Sequence, residues 1–85
     1  MSFCVYIIQS DLDESYYIGS TQEIGERLER HNQGRSKYTK AKRPWKLLYT
    51  EEFVDRPAAL KRENEIKRRK SKDYIESLIR PSRQV

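Results

Sequence analysis

Four side chains in this chain of 85 residues have types and spacings that could do chemistry: Tyr17, Arg27, His31 and Glu63. Tyr17 lies in the stretch Ser15-Tyr16-Tyr17-Ile18-Gly19-Ser20-Thr21, where a run of aromatic and branched residues leads into a turn. Arg27 and His31 are spaced i, i+4 and share a helix face, so a guanidinium and an imidazole are offered beside a tyrosine at a strand end. Glu63 is set apart by its neighbours. Ala59, Leu60 and Ile66, at i−4, i−3 and i+3, are apolar, so helical geometry carries this carboxylate onto an inward face with Lys67 beside it. A carboxylate there needs a cation or hydrogen bonds. Two readings stay open, a structural ion pair with an arginine and a carboxylate that works in a site.

The elements that must position these groups can be read in chain order. Phe3-Cys4-Val5-Tyr6-Ile7-Ile8 is apolar on both alternating faces and predicts a strand covered on both sides. After the polar connection Asp11-Leu12-Asp13-Glu14, residues 15–19 return as an antiparallel partner, which brings Tyr6 and Tyr17 close in space. Gly19 allows a close turn or an approach by a ligand. Ser20 and Glu23 have capping-box spacing and predict a helix over about 22–32. Ile24, Leu28 and His31 form its inward stripe with Arg27 at the edge, whereas Glu23, Glu26, Glu29 and Arg30 read as solvated charge, and Gly34 stops the helix. Trp45, Leu47 and Tyr49 alternate as in a third strand, with Trp45 a core anchor rather than a base-stacking platform. Asp55 caps a second helix with Pro57 in its first turn. Ser71 caps a third that carries Tyr74, Ile75, Leu78 and Ile79 and stops at Pro81. One domain over residues 1–80 and a frayed tail over 81–85 are expected.

Composition bounds the function. The chain is 36% charged and 35% hydrophobic with six tyrosines, enough for a small core and against disorder. Its single cysteine, Cys4, reads as a packed strand thiol, which suits a reducing cytoplasm. No signal peptide and no membrane span are expected, and a soluble monomer is. The net charge of +5 is uneven: residues 1–34 carry net −4 and residues 35–85 net +9. Arg35, Lys37, Lys40, Lys42 and Arg43 form an acid-free loop interleaved with Tyr38 and Thr39, which suits a phosphate backbone. Lys67, Arg68, Arg69, Lys70 and Lys72 add a second basic run, either a favourable helix end or a phosphate-binding edge. A polyanionic partner, nucleic acid and in particular DNA, is the expectation. A merely solubilising basic surface on a protein-binding domain is the weaker alternative.

Taken together, Cys4-Val5-Tyr6, Tyr17-Ile18-Gly19, Arg27 eight residues after that glycine, His31-Asn32 and the later Glu63 resemble the GIY-YIG nuclease family. The resemblance covers nearly the whole chain and looks like the small stand-alone members. It implies an α+β fold, a three-stranded antiparallel sheet flanked by about three helices, and a one-metal phosphodiesterase site. It also implies roles: Tyr6 and Tyr17 as the motif tyrosines, Gly19 as the motif glycine and Arg27 as the catalytic arginine. His31 falls where relatives have His or Tyr, and Glu63 matches the metal-binding glutamate. The chain departs from the pattern at Cys4, where the first motif glycine is usual, and at Ser20, where several relatives have lysine. The asparagine that some relatives carry after their glutamate is also missing at that distance.

One carboxylate suits Mg²⁺ or Mn²⁺, a hard ion that keeps waters and takes substrate phosphate oxygens. Arg27 would hold transition-state charge. For the base, an unperturbed phenol near pKa 10 is ionised in roughly one molecule in a thousand at pH 7, whereas an imidazole near 6.5 serves directly. Tyr17 and His31 therefore both remain candidates. The expected function is metal-dependent DNA endonuclease, on structured or damaged DNA, with a non-catalytic nucleic-acid-binding module as the alternative.

Overall fold

Phe3–Ser10, with apolar residues at positions of both parities, forms the central strand β1 of a three-stranded sheet of order β2-β1-β3, as a strand with two apolar faces must. The structure is a computed structural model and describes residues 2–80; the stop at Pro81 and the tail 81–85 lie outside the described residues. β2 (Tyr16–Thr21) returns antiparallel beside β1, in a register that sets Tyr6 opposite Gly19 and Ile8 opposite Tyr17. β3 (Trp45–Phe53) pairs antiparallel along the other edge of β1.

The two faces of β1 belong to two small cores. Tyr6 and Ile8 pack with Trp45, Tyr17, Ile24 and Leu28 under α1 (Ile24–Asn32). Val5 and Ile7 pack with Ile18, Ala59, Ile66 and Ile75 under α2 (Arg56–Arg69) and α3 (Lys72–Ile79). The α+β layering expected from the family resemblance is therefore the observed fold. Cys4 is buried in β1, and burial, then Glu52, pushes its thiol up, as suits a packing residue.

Three local expectations are corrected. Helix α1 starts at Ile24 with no side-chain cap. Ser20 remains in β2 and turns its hydroxyl to Glu63, and the Glu23 N–H is taken by Thr21 Oγ1 at 3.1 Å, so no capping box forms. The β1–β3 register shifts between Ile7 and Ile8, a bulge that inserts one residue into β3. Because the side-chain period is two, this sends Trp45 to the α1 core and Tyr49 to the α2 core, and Trp45, Leu47 and Tyr49 do not share a face. Arg30 is half-buried rather than solvated.

The later helices begin where their caps dictate. The Asp55 carboxylate accepts from Ala58 N at 3.0 Å with Pro57 in the first turn, and Ser71 Oγ accepts from Tyr74 N at 3.1 Å. Arg62 on α2 ties three elements: Nε and a terminal nitrogen grip the Glu51 carboxylate of β3 at 2.9 and 3.0 Å, and the other terminal nitrogen reaches the Tyr74 hydroxyl of α3 at 3.0 Å. The arginine-paired carboxylates of this layer are thus Glu51 and Glu65, and not Glu63. A basic connection between α1 and β3 is held to the β1–β2 turn by Lys42, whose carbonyl accepts from Ser10 Oγ at 2.6 Å and whose ammonium pairs with Asp13 at 3.1 Å. Among the described residues, no helix is long and apolar enough to cross a membrane.

Candidate active site

Tyr6 is fully buried, and its ring lies across Gly19, its partner in the antiparallel register. A Cβ on Gly19 would stand 2.5 Å from the Tyr6 hydroxyl and 2.7 Å from Cζ, so only glycine leaves room for the phenol. The close approach at Gly19 is therefore made by Tyr6 and not by a ligand. The Tyr6 hydroxyl meets His31 Nε2 at 3.0 Å, and His31 Nδ1 meets Thr39 Oγ1 at 2.7 Å. Thr39 is itself buried and accepts on its carbonyl from Trp45 Nε1 at 2.9 Å. Next to it, the Asn32 side chain accepts from Trp45 N at 2.6 Å and donates to Trp45 O at 3.0 Å, as a neighbouring strand would. The end of α1, the basic loop and the start of β3 are thus locked around one imidazole.

Electrostatics follow from this packing. Burial first, and the adjacent Tyr17 next, push the Tyr6 phenol up to about 12, with Arg27 pulling it down and Glu63 adding to the rise. Tyr17, Arg27 and Glu63 consequently lie within electrostatic reach of one hydroxyl, although they come from β2, α1 and α2. His31 is held below its ordinary value, by burial first and then by the positive charge of Arg27 and Arg30. With 1% of its surface exposed and both ring nitrogens engaged, it is a neutral scaffold at pH 7 rather than a free base facing solvent.

The sheet edge at β2 separates two sides of the site. On the α1 side, Tyr17 packs edge-on to His31 at 5.1 Å and to Trp45 at 6.3 Å between ring centres. On the α2 side, Glu63 Oε1 accepts from Ser20 Oγ at 2.8 Å and Oε2 from Lys67 Nζ at 2.7 Å, leaving the Glu63 side chain 12% exposed. Two clefts open here. One, of about 280 Å³, is lined by Ser20, Thr21, Glu23, Glu26, Arg27 and Arg30, among others. The other, of about 210 Å³, is lined by Tyr17, Arg27, Arg30, His31, Arg35 and Ser36. Arg27 and Arg30 form the wall common to both.

The structure thus brings together Tyr6, Tyr17, Arg27, His31 and Glu63, with Gly19 beneath Tyr6. Of the basic candidates, Arg35 lines the second cleft, whereas Lys37, Lys40, Lys42 and Arg43 are exposed along the loop beyond it. Lys42 already holds Asp13 and Lys67 holds Glu63. Arg68 and Lys70 are exposed at the far end of α2 and line neither cleft. Sequence reasoning missed Ser20 as the partner of Glu63, Thr39 as the buried anchor and Arg30 as a wall of the site. Only the last had a local signal, its position three residues after Arg27.

Comparison with known proteins decides the family. The model of the GIY-YIG catalytic domain matches residues 2–75. The chain belongs to the GIY-YIG family. This GIY-YIG domain is 45% identical over 67 residues to UPF0213 proteins of several Staphylococcus aureus strains, covering 78% of the chain and 80% of the relative. Its fold is shared with a UPF0213 protein from Bacillus halodurans solved by NMR, at 32% identity and a TM-score of 0.57, covering 95% of this chain and 89% of that one. GIY-YIG domains are typically nucleases, and membership implies a nucleic-acid substrate.

Among the described residues of the domain, no group of three or more His, Cys, Asp or Glu side chains could cage a metal ion. The donor set at Glu63, one carboxylate with a hydroxyl beside it, fits only an ion that keeps most of its waters and takes the rest of its oxygens from substrate. The Lys67 ammonium occupies one carboxylate oxygen from a side chain that is half-exposed.

Proposed function

We propose that this GIY-YIG domain is an endonuclease that hydrolyses DNA phosphodiester bonds with one divalent ion, Mg²⁺ or Mn²⁺, at Glu63. The observation that carries the reading is that Tyr17 and Arg27, from β2 and α1, line one cleft, while Arg27 and the α2 residue Glu63 both lie near enough to the buried Tyr6 hydroxyl to act on its charge. Arg27 is half-buried, lies within hydrogen-bonding reach of the Tyr6 hydroxyl and, among the described residues, forms no ion pair, so its charge and remaining donors are available to a phosphate. The bound ion would offer positive charge to the phosphate oxygens and would be held by Glu63, whose carboxylate the Ser20 hydroxyl orients.

Hydrolysis requires a bond from a water oxygen to phosphorus, cleavage of one ester bond and removal of one proton from the water. Of the three candidate groups, Tyr6 is buried and raised to about 12, and His31 is sealed. Tyr17 is partly exposed, lines the cleft with Arg27, and takes the proton in this reading. Tyr6 and His31 are positioning residues, fixing the Tyr17–Arg27 side of the cleft.

One observation favours the non-catalytic module: both Glu63 oxygens are satisfied by Ser20 and Lys67 without any metal. The test is incubation of pure protein with linear, nicked, flapped and four-way DNA, with Mg²⁺, with Mn²⁺ and with chelator. Cleavage that disappears with chelator supports the endonuclease. Binding without cleavage on every substrate and with either ion assigns the module instead.

A further inference from the structure

Arg30 is an anomaly in its surroundings. It is half-buried on α1, its Nε is shielded from solvent without a hydrogen-bond partner, and none of its other side-chain donors has a partner among the described residues. A guanidinium carries five donors and no means of losing its charge, so burying part of it uncompensated is costly. Its neighbour one turn earlier, Arg27, repeats the cost, since like charges at this spacing on a helix repel. Glu26, four residues before Arg30 and on the wall of the same cleft, forms no ion pair with it. The contrast is Arg62, equally half-buried on α2, which grips Glu51 with two nitrogens. The fold therefore pairs one half-buried arginine with a carboxylate and leaves two others, Arg27 beside the Tyr6 hydroxyl and Arg30, without one among the described residues, on the wall between two clefts.

We propose that Arg30 is a second phosphate site, holding the phosphodiester next to the one that Arg27 holds on the same nucleic-acid strand. This rests on the nuclease reading for the identity of the strand and goes beyond it in assigning a residue and a minimum substrate. Arg30 lines both clefts, as Arg27 does, so a strand that lays one phosphate against Arg27 passes Arg30 on its way into the neighbouring cleft. There Arg35, held by Gln33 at 2.9 Å, carries the positive lining onward to the basic loop. The substrate must accordingly extend at least one nucleotide beyond the reacting bond. The anion is a strand phosphodiester, and free phosphate is the competing source of the same chemistry.

The wild-type protein can be tested directly, because a shielded Nε–H exchanges slowly enough to be followed by ¹⁵N NMR. Titration with the trinucleotide d(TpTpT), which has two phosphodiesters and no terminal phosphate, is expected to shift the Nε–H signals of both Arg27 and Arg30. Replacing one of the two linkages by a neutral methylphosphonate should abolish the Arg30 shift while Arg27 still responds, and should weaken binding about tenfold or more. The variant Arg30→Gln should lose about the same affinity for the unmodified trinucleotide and be indifferent to the methylphosphonate. A response at Arg27 with Arg30 silent overturns the second site and leaves the nuclease reading standing. Silence at both residues with no binding overturns both. Equal shifts at Arg30 with inorganic phosphate at the same concentration also overturn the proposal, since the site would then be a generic anion site.

Discussion

Gly19→Ala tests the geometry on which the whole site rests. The new Cβ would stand 2.5 Å from the Tyr6 hydroxyl, 2.7 Å from Cζ and 3.1 Å from Cε2. Ordinary contact requires about 3.5 Å, so the phenol must retreat by about 1 Å. It has nowhere to go, since Tyr6 is fully buried between Ile8, Trp45 and Leu28 and its hydroxyl is 3.0 Å from His31. Overpacking a close-packed core costs about 1–3 kcal/mol and the lost hydrogen bond about 1 more, a total of about 2–4 kcal/mol. For a domain of this size that corresponds to a fall in Tm of roughly 10–30 °C. Gly25→Ala provides the opposite sign in the same protein. No atom lies within 4 Å of its added Cβ, and a helical Gly→Ala change should stabilise by about 0.4–1 kcal/mol. Urea and thermal melting of both variants, and of Gly19→Ala in a Tyr6→Leu background where the clash is removed, measure the effect. If Gly19→Ala costs under about 0.5 kcal/mol, or costs the same in the Tyr6→Leu background, then Tyr6 does not lie on Gly19 as described.

Arg27→Ala is expected to lower cleavage by about 10²–10³-fold, and Glu63→Gln to abolish it, both with DNA binding largely retained; equal losses in binding would refute a role at one phosphate. Tyr17→Phe keeps the ring contacts with His31 and Trp45 and should lower the cleavage rate by about 10² or more without changing the melting midpoint, whereas an unaffected rate removes Tyr17 as the proton acceptor. His31 gives a pH-dependent stability. Its folded pKa is lowered, so an unfolded imidazole near 6.5 takes a proton first, and the contribution is full above about pH 6.5 and is lost as pH falls. Urea midpoints between pH 7.5 and 5.5 should fall with a slope of up to about 1.4 kcal/mol per pH unit, and His31→Gln should flatten it; an unchanged slope in the variant assigns the dependence elsewhere.

What could be read from the sequence was local. Asp55 and Ser71 cap their helices through bonds three residues away, so a short window contains the whole cause. β1 shows its two-sided burial in its own composition, and the spacing of Ile24, Leu28 and His31 is enough to turn the imidazole inward. The features that escaped depend on distant partners. Ser20 and Glu23 have every mark of a capping box, yet the hydroxyl goes to a carboxylate 43 residues away. A bulge set by the match of β3 to β1 puts Tyr49 on the face opposite Trp45 and Leu47, although Trp45 is the core anchor its position implies. Thr39, in a loop that looks like plain basic coil, is buried because His31 and Trp45 both need its oxygens. The five site residues could be named in advance only because their joint order resembles a family, since no one of them is distinctive alone.

The arrangement of charge separates the groups that hold the fold from those that await a ligand. Arg62, Glu51, Tyr49 and Tyr74 close on one another between β3, α2 and α3, and nothing there is left to offer. Arg27 and Arg30 are both half-buried on α1, yet among the described residues neither forms an ion pair and the Arg30 Nε has no partner. A helix that needed only stability would gain from replacing either by an apolar residue of similar length, because the stem already covers apolar surface. Glu63 stands between the two cases. Its carboxylate is oriented by a firm hydroxyl on Ser20 and neutralised by a lysine that is half in solvent. An exposed lysine is a weak and exchangeable partner, so the carboxylate stays aimed while its cation remains replaceable. An arginine and a carboxylate with an exchangeable cation near one phenol, with a second arginine on the adjoining cleft wall, match the needs of the proposed phosphate and metal site.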